Sequence, residues 1–264
     1  MKRILILSCL FFALIPIWAN PTDSIEITDQ CKPSEYVDSL SFLKDCELLS
    51  KLESAVWNRE PLIVCKQIHE QIESITKCSS WEDLCLLFKA DTVLARYCIQ
   101  GPSKEKDTAK KLLKDAGRLL AQIKRLADPS AISVIGALES DFYSVEYIIS
   151  PILHLSKGIE STKLIDKAFK SYSNEVSVAL MYANRRLYAP AIGGKDVEEA
   201  YSIFCKLANH QGLAEWDMFS IYSGIGMCLF EKQCYDESAV YLHKAMAIYH
   251  GDEVIAETIS KLTH

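Results

Sequence analysis

Apolar residues recur along this chain at the three- and four-residue spacing of amphipathic helices, and sustained two-residue alternation between hairpin turns is almost absent. The pattern predicts helices over about 35–58, 61–77, 81–99 and 104–127, with Ser79-Ser80 and Gly101-Pro102-Ser103 breaking the chain at the last two junctions. From Asp128-Pro129-Ser130 the pattern loosens. The segment up to Ser150-Pro151 carries the small residues Gly136 and Ala137 but shows no clean pairing partner. Periodicity then returns and persists nearly to the C-terminus. A short helix over 253–263 sets Ile255, Ile259 and Leu262 on one face with charges opposite, which fits it to cap the end of a helical stack. One extended all-helical unit accounts for this more simply than two domains.

Small residues follow a spacing of their own. Gly226 is followed by Ser238, Leu242 and Ala245. Small side chains at the first, second and fourth of these positions let two antiparallel helix backbones approach, while the bulky third fills the groove beside them. The set recurs as Ala95, Ala109, Leu113 and Ala116, as Ser161, Ile165 and Ala168, and as Ala183, Ala200, Phe204 and Leu207. Ala168 to Leu207 spans 39 residues and Leu207 to Ala245 spans 38.

These residues resemble the tetratricopeptide (TPR) repeat, whose unit is about 34 residues. The excess is traceable in part to the linker Tyr188-Ala189-Pro190-Ala191-Ile192-Gly193-Gly194-Lys195-Asp196, where a proline and a glycine pair end one helix and Asp196 can cap the next. Such a linker followed by Glu-Glu-Ala is similar to those of some exported bacterial TPR proteins. The resemblance covers about residues 140–252. It implies an all-α fold, a TPR-like stack of antiparallel helix pairs forming a right-handed α-solenoid, degenerate at its N-terminal end. The expected order is an export leader (1–19), an irregular segment (20–33), an N-terminal helical region with one degenerate repeat (34–128) and a C-terminal TPR-like region with its capping helix (129–264).

The leader rests on charge and length. Lys2 and Arg3 precede an uncharged, mostly apolar run over 4–18, and Ile17-Trp18-Ala19 sets signal-peptide cleavage near Ala19. As a helix those residues would cover about 22 Å, short of the roughly 30 Å hydrocarbon core of a bilayer. No later segment reaches membrane length without a charge, so no span is expected after processing. Of the 29 Lys and Arg the leader removes two, leaving 27 against 35 Asp and Glu, a net charge of about −8. That balance, without a basic block, speaks against nucleic acid and anionic lipid as partners. Asn20-Pro21-Thr22 is barred from glycosylation by its proline, which fits a bacterial periplasm.

Nine of the ten cysteines lie beyond the leader, six of them before residue 100. Export makes bridges between Cys31 and Cys46 and between Cys65 and Cys98 the expected staples; the alternative is that many are buried as small apolar residues. No Cys-X-X-Cys occurs. Cys65 and His69 lie one helical turn apart without a second ligand pair, so an ordinary helix-face histidine is expected in preference to a metal site. Catalytic motifs fail in context. Gly224-Ile225-Gly226 lacks a third glycine and sits inside a helix, and Gly193-Gly194-Lys195 is followed by Asp196 where a phosphate loop wants Ser or Thr. Ser41 and Lys44 have the spacing of penicillin-recognising enzymes without the partner motifs. Neither an enzyme nor a cofactor is expected.

In a TPR stack the first helix of each repeat lines the concave surface. Mapped through that resemblance, Ser177, Leu180, Asn184 and Leu187 face inward in one repeat, and Ser220, Ser223, Met227 and Phe230 in the next. The Asn184 amide can both donate to and accept from a peptide backbone. Beside it stand Arg185, Arg186 and Tyr188, and two adjacent arginines could offer a carboxylate site. The alternative is that Arg186 pairs with a neighbouring glutamate and Asn184 is merely exposed. The resemblance implies a non-enzymatic scaffold that binds a protein or peptide partner in the periplasm. The second expectation is an accessory of a tripartite solute-uptake system that docks a periplasmic solute-binding protein, with Phe142, Tyr143 and Tyr147 either lining a ligand cavity or packing in the core.

Overall fold

In the computed structural model the described residues are 36–127, 131–190 and 193–262. The expected leader, its cleavage point, segment 20–33 and Cys31 lie outside them. Among the described residues eleven α-helices follow a 3-10 turn at Ser41–Asp45. They are α1 Glu47–Trp57, α2 Leu62–Ile75, α3 Trp81–Gln100, α4 Lys106–Leu126, α5 Ile132–Ile149, α6 Leu155–Tyr172, α7 Val176–Tyr188, α8 Val197–Ala208, α9 Glu215–Glu231, α10 Tyr235–Ile248 and α11 Glu253–Leu262. Among the described residues the β structure is one isolated bridge, Val37 with Glu175. The fold is all-α, and no described helix is long and apolar enough to cross a membrane.

Helix starts follow the capping rules. Ser80 Oγ accepts from the Asp83 N–H while the Asp83 carboxylate accepts from the Ser79 N–H and hydroxyl, a reciprocal cap at the start of α3. Asp196 caps α8 through the Glu199 N–H, and Asp252 caps α11 through those of Val254 and Ile255. In three neighbouring pairs, α5–α6, α8–α9 and α9–α10, residues roughly equidistant from the intervening turn meet, which sets each pair antiparallel. Ser238 Oγ donates to Gly226 O at 2.8 Å, Lys195 meets Glu231 and Lys232 meets Glu198 at 2.9 Å each, and Ser161 Oγ donates to Ser140 O at 2.7 Å.

α9 explains its own glycines. Two residues apart on a helix is about 200°, so Gly224 and Gly226 face opposite neighbours. Gly224 lies under the Phe204 ring of α8, and a Cβ on Gly226 would sit 2.6 Å from the Leu242 side chain of α10. Ala95, Ala109, Ala116, Ala168, Ala183, Ala200, Ser238 and Ala245 are all buried.

Two expected elements differ. The helix over 35–58 begins only at Glu47, because residues ahead of it are drawn into long-range contacts. Val37 donates to Asn174 O at 2.8 Å and accepts from the Val176 N–H at 2.9 Å, and the Glu175 carboxylate takes the Ser39 N–H and hydroxyl. Backbone groups committed to another segment cannot close a helical turn. The stretch without a pairing partner is the full helix α5, which pairs with α6. Its small face is there in sequence but partly polar: Gly136 abuts Ala168, while Ser140 and Ser161 exchange hydrogen bonds.

One hydrophobic core joins α1 to α5, a second joins α6 to α9 with Ala137 of α5, and a third lies among α9, α10 and α11. The end of α1 meets α9 and the α10–α11 junction. His250 N–H donates to Asn58 Oδ1 at 2.9 Å, Trp57 lies 4.8 Å from the Phe219 ring, and Arg59 faces Glu253 at 3.5 Å. The terminal helix thus packs on α10 beside the end of α1.

The expected Cys65–Cys98 bridge is not formed, and no disulfide occurs among the described residues. Both thiols are buried in the first core as small apolar groups, and burial pushes each up to about 11. Burial likewise pushes Cys85 and Cys228 up to about 12, whereas Cys78 is exposed. Iodoacetamide on the native protein should label Cys78 and leave Cys65, Cys85, Cys98 and Cys228 unmodified until denaturant is added, read by peptide mass mapping. Gly226→Ala should lower stability by about 1–3 kcal/mol through overpacking against Leu242, read by urea unfolding.

Candidate functional site

The N-terminal segment, α1, α3, α5, α6, α7 and α9 line an open central cavity of about 500 Å³. The segment forms one rim: besides the Glu175 contacts, Lys44 Nζ donates to Gly212 O in the α8–α9 turn, and Tyr36 meets the His210 ring edge-on at 6.4 Å. Ser177, Leu180, Asn184, Arg185, Tyr188 and Ser220 lie on the cavity wall. The other inward positions do not reach it. Leu187 is buried in the second core, Ser223 turns back to donate to Ser220 O, Met227 packs between the second and third cores, and Phe230 lies against Tyr235.

Asn184 Nδ2 donates to Leu180 O at 3.0 Å and to Ser220 Oγ at 3.1 Å, so the amide joins α7 to α9 at the wall. The arginine pair is not an open carboxylate site. Arg185 faces Asp166 at 2.8 Å and donates to Gly193 O, while Arg186 pairs with Glu199 at 2.8 Å and donates to Tyr182 Oη and Gly194 O. Together they clamp the glycine linker to α7. Gly194 has φ of 87°, a left-handed conformation that glycine adopts without strain. Phe142, Tyr143 and Tyr147 are not cavity residues: Phe142 packs on the first core near Gly117, Lys157 lies 4.0 Å over the Tyr143 ring, and Tyr147 abuts Gly158.

The opposite wall was missed in sequence. It brings Lys89 and Arg96 of α3, Asp141 and Ser144 of α5, and Trp216 and Asp217 of α9 together with Trp57. A helical observer of α3 alone sees two cations seven residues apart on one face; that signal existed, but what they faced did not. Lys89 lies 3.2 Å from the buried Glu53 carboxylate, and Arg96 holds Asp141 and the Ser144 hydroxyl. Burial pulls the Lys89 ammonium down, but Glu53, Asp141 and Asp217 push it up by more. A second cavity of about 260 Å³ lies between α3 and the start of α11 and shares Trp57, Lys89, Arg96 and Asp141 with the first.

Asp217 is different. Its side chain makes no hydrogen bond and no ion pair among the described residues. Burial pushes its carboxyl up to about 7; Lys89 and Lys44 pull against this, and Asp38 and Glu53 add to it.

His69, expected as an ordinary helix-face residue, is buried instead. Its Nε2 lies 2.7 Å from Asp91 and its Nδ1 3.7 Å from Glu73, so both ring nitrogens face carboxylates. The ligand atoms of the three fall within 4.8 Å of one another, but the ring's hydrogen-bonding capacity is already directed at Asp91 in a buried pair tying α2 to α3.

No protein-family model, curated protein or solved structure matches this chain.

The raised Asp217 pKa has a stability consequence with a definite sign. The folded state holds the proton more tightly than the unfolded chain, whose carboxyl titrates near 3.8, so stability from this group is complete below about pH 4 and lost as pH rises toward about 7. Asp217→Asn removes that loss. Its Tm relative to the parent protein should rise between pH 4 and pH 8 by a few degrees, the shift expected from about 1 kcal/mol, as read by circular dichroism melts.

Proposed function

We propose that this protein is an exported, non-enzymatic helical-repeat module, a TPR-like stack of antiparallel helix pairs, which holds a short segment of a protein or peptide partner in its central cavity. The periplasm is the compartment in which this reading sets it, on the strength of the leader sequence. One observation carries the reading. Inward-facing side chains of α3, α5, α7 and α9, distant in sequence, share a single concavity that mixes apolar wall with a few polar groups, in the size range of about 300–1,000 Å³ that ligand sites occupy. Ser177, Asn184 and Ser220 supply hydrogen-bonding groups there, and Leu180 and Met181 supply apolar wall. An extended segment needs both: backbone bonding for affinity and pockets for alternate side chains.

The N-terminal rim favours a second reading. Residues 38–44 narrow the cavity, and enclosure of that kind also suits a small solute delivered by a periplasmic solute-binding protein.

Both readings need the cavity open. Ser220→Trp introduces an indole into the wall without touching the three cores. Pull-down from periplasmic extract should recover at least tenfold less of the partner captured by the parent protein, with the cooperative melt retained and stability lowered by only about 1 kcal/mol for the lost Asn184–Ser220 bond. Recovery at parental strength with the indole in place would overturn the cavity as the binding site.

A further inference from the structure

We propose that the central cavity recognises an ammonium group and that the Asp217 carboxylate is its anchor. The inference rests on the cavity being the binding site, and it adds the chemistry of what enters. Its basis is the distribution of charge around the wall. Every cavity cation already has an oxygen partner: Lys89 has Glu53, Arg96 has Asp141, Arg185 has Asp166, and Lys44 has the Gly212 carbonyl. Two carboxylates on the wall, Asp38 and Asp217, have no cation in an ion pair among the described residues. Asp38 is offset by a backbone hydrogen bond at Leu40 and by the fields of Lys44 and His210. Asp217 has neither.

A half-buried carboxylate with no counter-charge in contact is costly, and its burial outweighs the fields of Lys89 and Lys44, which raises its pKa. An entering cation supplies the missing charge. An entering anion would find the cations engaged and meet Asp38, Asp141 and Asp217. The apolar part of the wall points the same way. Trp57, Trp216 and Tyr188 line the cavity, and aromatic faces attract ammonium groups through their quadrupoles. The hydroxyls of Ser41 and Ser220 on the same wall are further acceptors for its N–H groups.

An ammonium can come from a peptide N-terminus or from a small amine, and the two sources are separable by titration calorimetry on the mature protein. The probes are tri-alanine amide, its N-acetyl form and butylamine. Tri-alanine amide should bind, and acetylation should weaken it at least tenfold. Butylamine binding in place of the peptide would assign the site to small cationic solutes and keep the ammonium anchor. Affinity should rise roughly tenfold from pH 5.5 to 7.5 as Asp217 ionises in the field of Lys89, Lys44, Glu53 and Asp38. Asp217→Asn, its fold checked by the same circular dichroism melts, should lose both the affinity and its pH dependence. Equal binding of acetylated and free peptide, or no heat from either amine, overturns the proposal. So does an unchanged affinity in Asp217→Asn. Ser220→Trp separates the two levels: if it still abolishes partner capture while the amine probes fail, the cavity stands and only the ammonium assignment falls.

Discussion

The Glu175 carboxylate is the contact on which the cavity depends. It is buried at the start of α7 and receives the Ser39 N–H at 3.1 Å, the Ser39 hydroxyl at 2.7 Å and the Ser133 hydroxyl at 3.4 Å. Burial pushes its pKa up and the Ser39 bonds pull it back. On either side of it the Val37 backbone exchanges hydrogen bonds with Asn174 and Val176. Hydrogen bonds to a charged acceptor contribute about 1.5–3 kcal/mol each, so these few contacts suffice to hold an otherwise irregular segment across the helix ends. They act with the Lys44 bond to Gly212 O and the burial of Leu43, which hold the same segment at its other end.

Close helix approach governs the rest of the architecture. Glycine, alanine and serine at facing positions let α9 sit between α8 and α10, and α5 against α6, with the hydroxyls of Ser140, Ser161 and Ser238 donating to backbone carbonyls across the helix pairs. A serine at such a contact does two things: it occupies little volume, and its hydroxyl finds a carbonyl partner where an apolar side chain would find none. Close packing around the small residues also fixes where the large ones go. Phe204, Leu207 and Leu242 fill the grooves and are fully buried.

The part of the fold legible in the sequence is the part set by local periodicity. The small residues from Ala183 to Ala245 and the Asp196 cap lie on neighbouring helices, so spacing alone carries their pairing. α5 was harder because two of its contact residues are Ser140 and Gly136, whose polarity and missing side chain blur the apolar stripe that marks a helix face. The N-terminal segment was illegible for a different reason. Its conformation is dictated by Glu175, more than a hundred residues away, and no window of sequence contains both. The candidate site divides along the same line. Ser177, Leu180, Asn184 and Ser220 could be read from the repeat; Lys89, Arg96, Asp141 and Asp217 could not, because they face each other only once α3, α5 and α9 are assembled. The cysteines misled through compartment. The export expected from the leader would permit bridges, but Cys65 and Cys98 lie in a core that uses them as small apolar groups.

Ionic groups in the cavity are poorly explained by stability alone. Replacing a buried ion pair with apolar side chains of similar volume is often neutral or stabilising, and α1, α3 and α9 already share aromatic and aliphatic contacts through Trp57, Phe88 and Trp216. Yet the seam between the two cavities carries Glu53, Lys89, Arg96 and Asp141 in close ionic contact. Such contacts are directional where apolar packing is not, so they fix the relative placement of α1, α3 and α5. The wall stays rigid as a result. Asp217 stands outside that network, close enough to feel Lys89 but not bonded to it. In the proposed site, ion pairs that fix the wall and one carboxylate left outside them would discriminate by charge, because the paired groups cannot rearrange cheaply to satisfy the wrong guest.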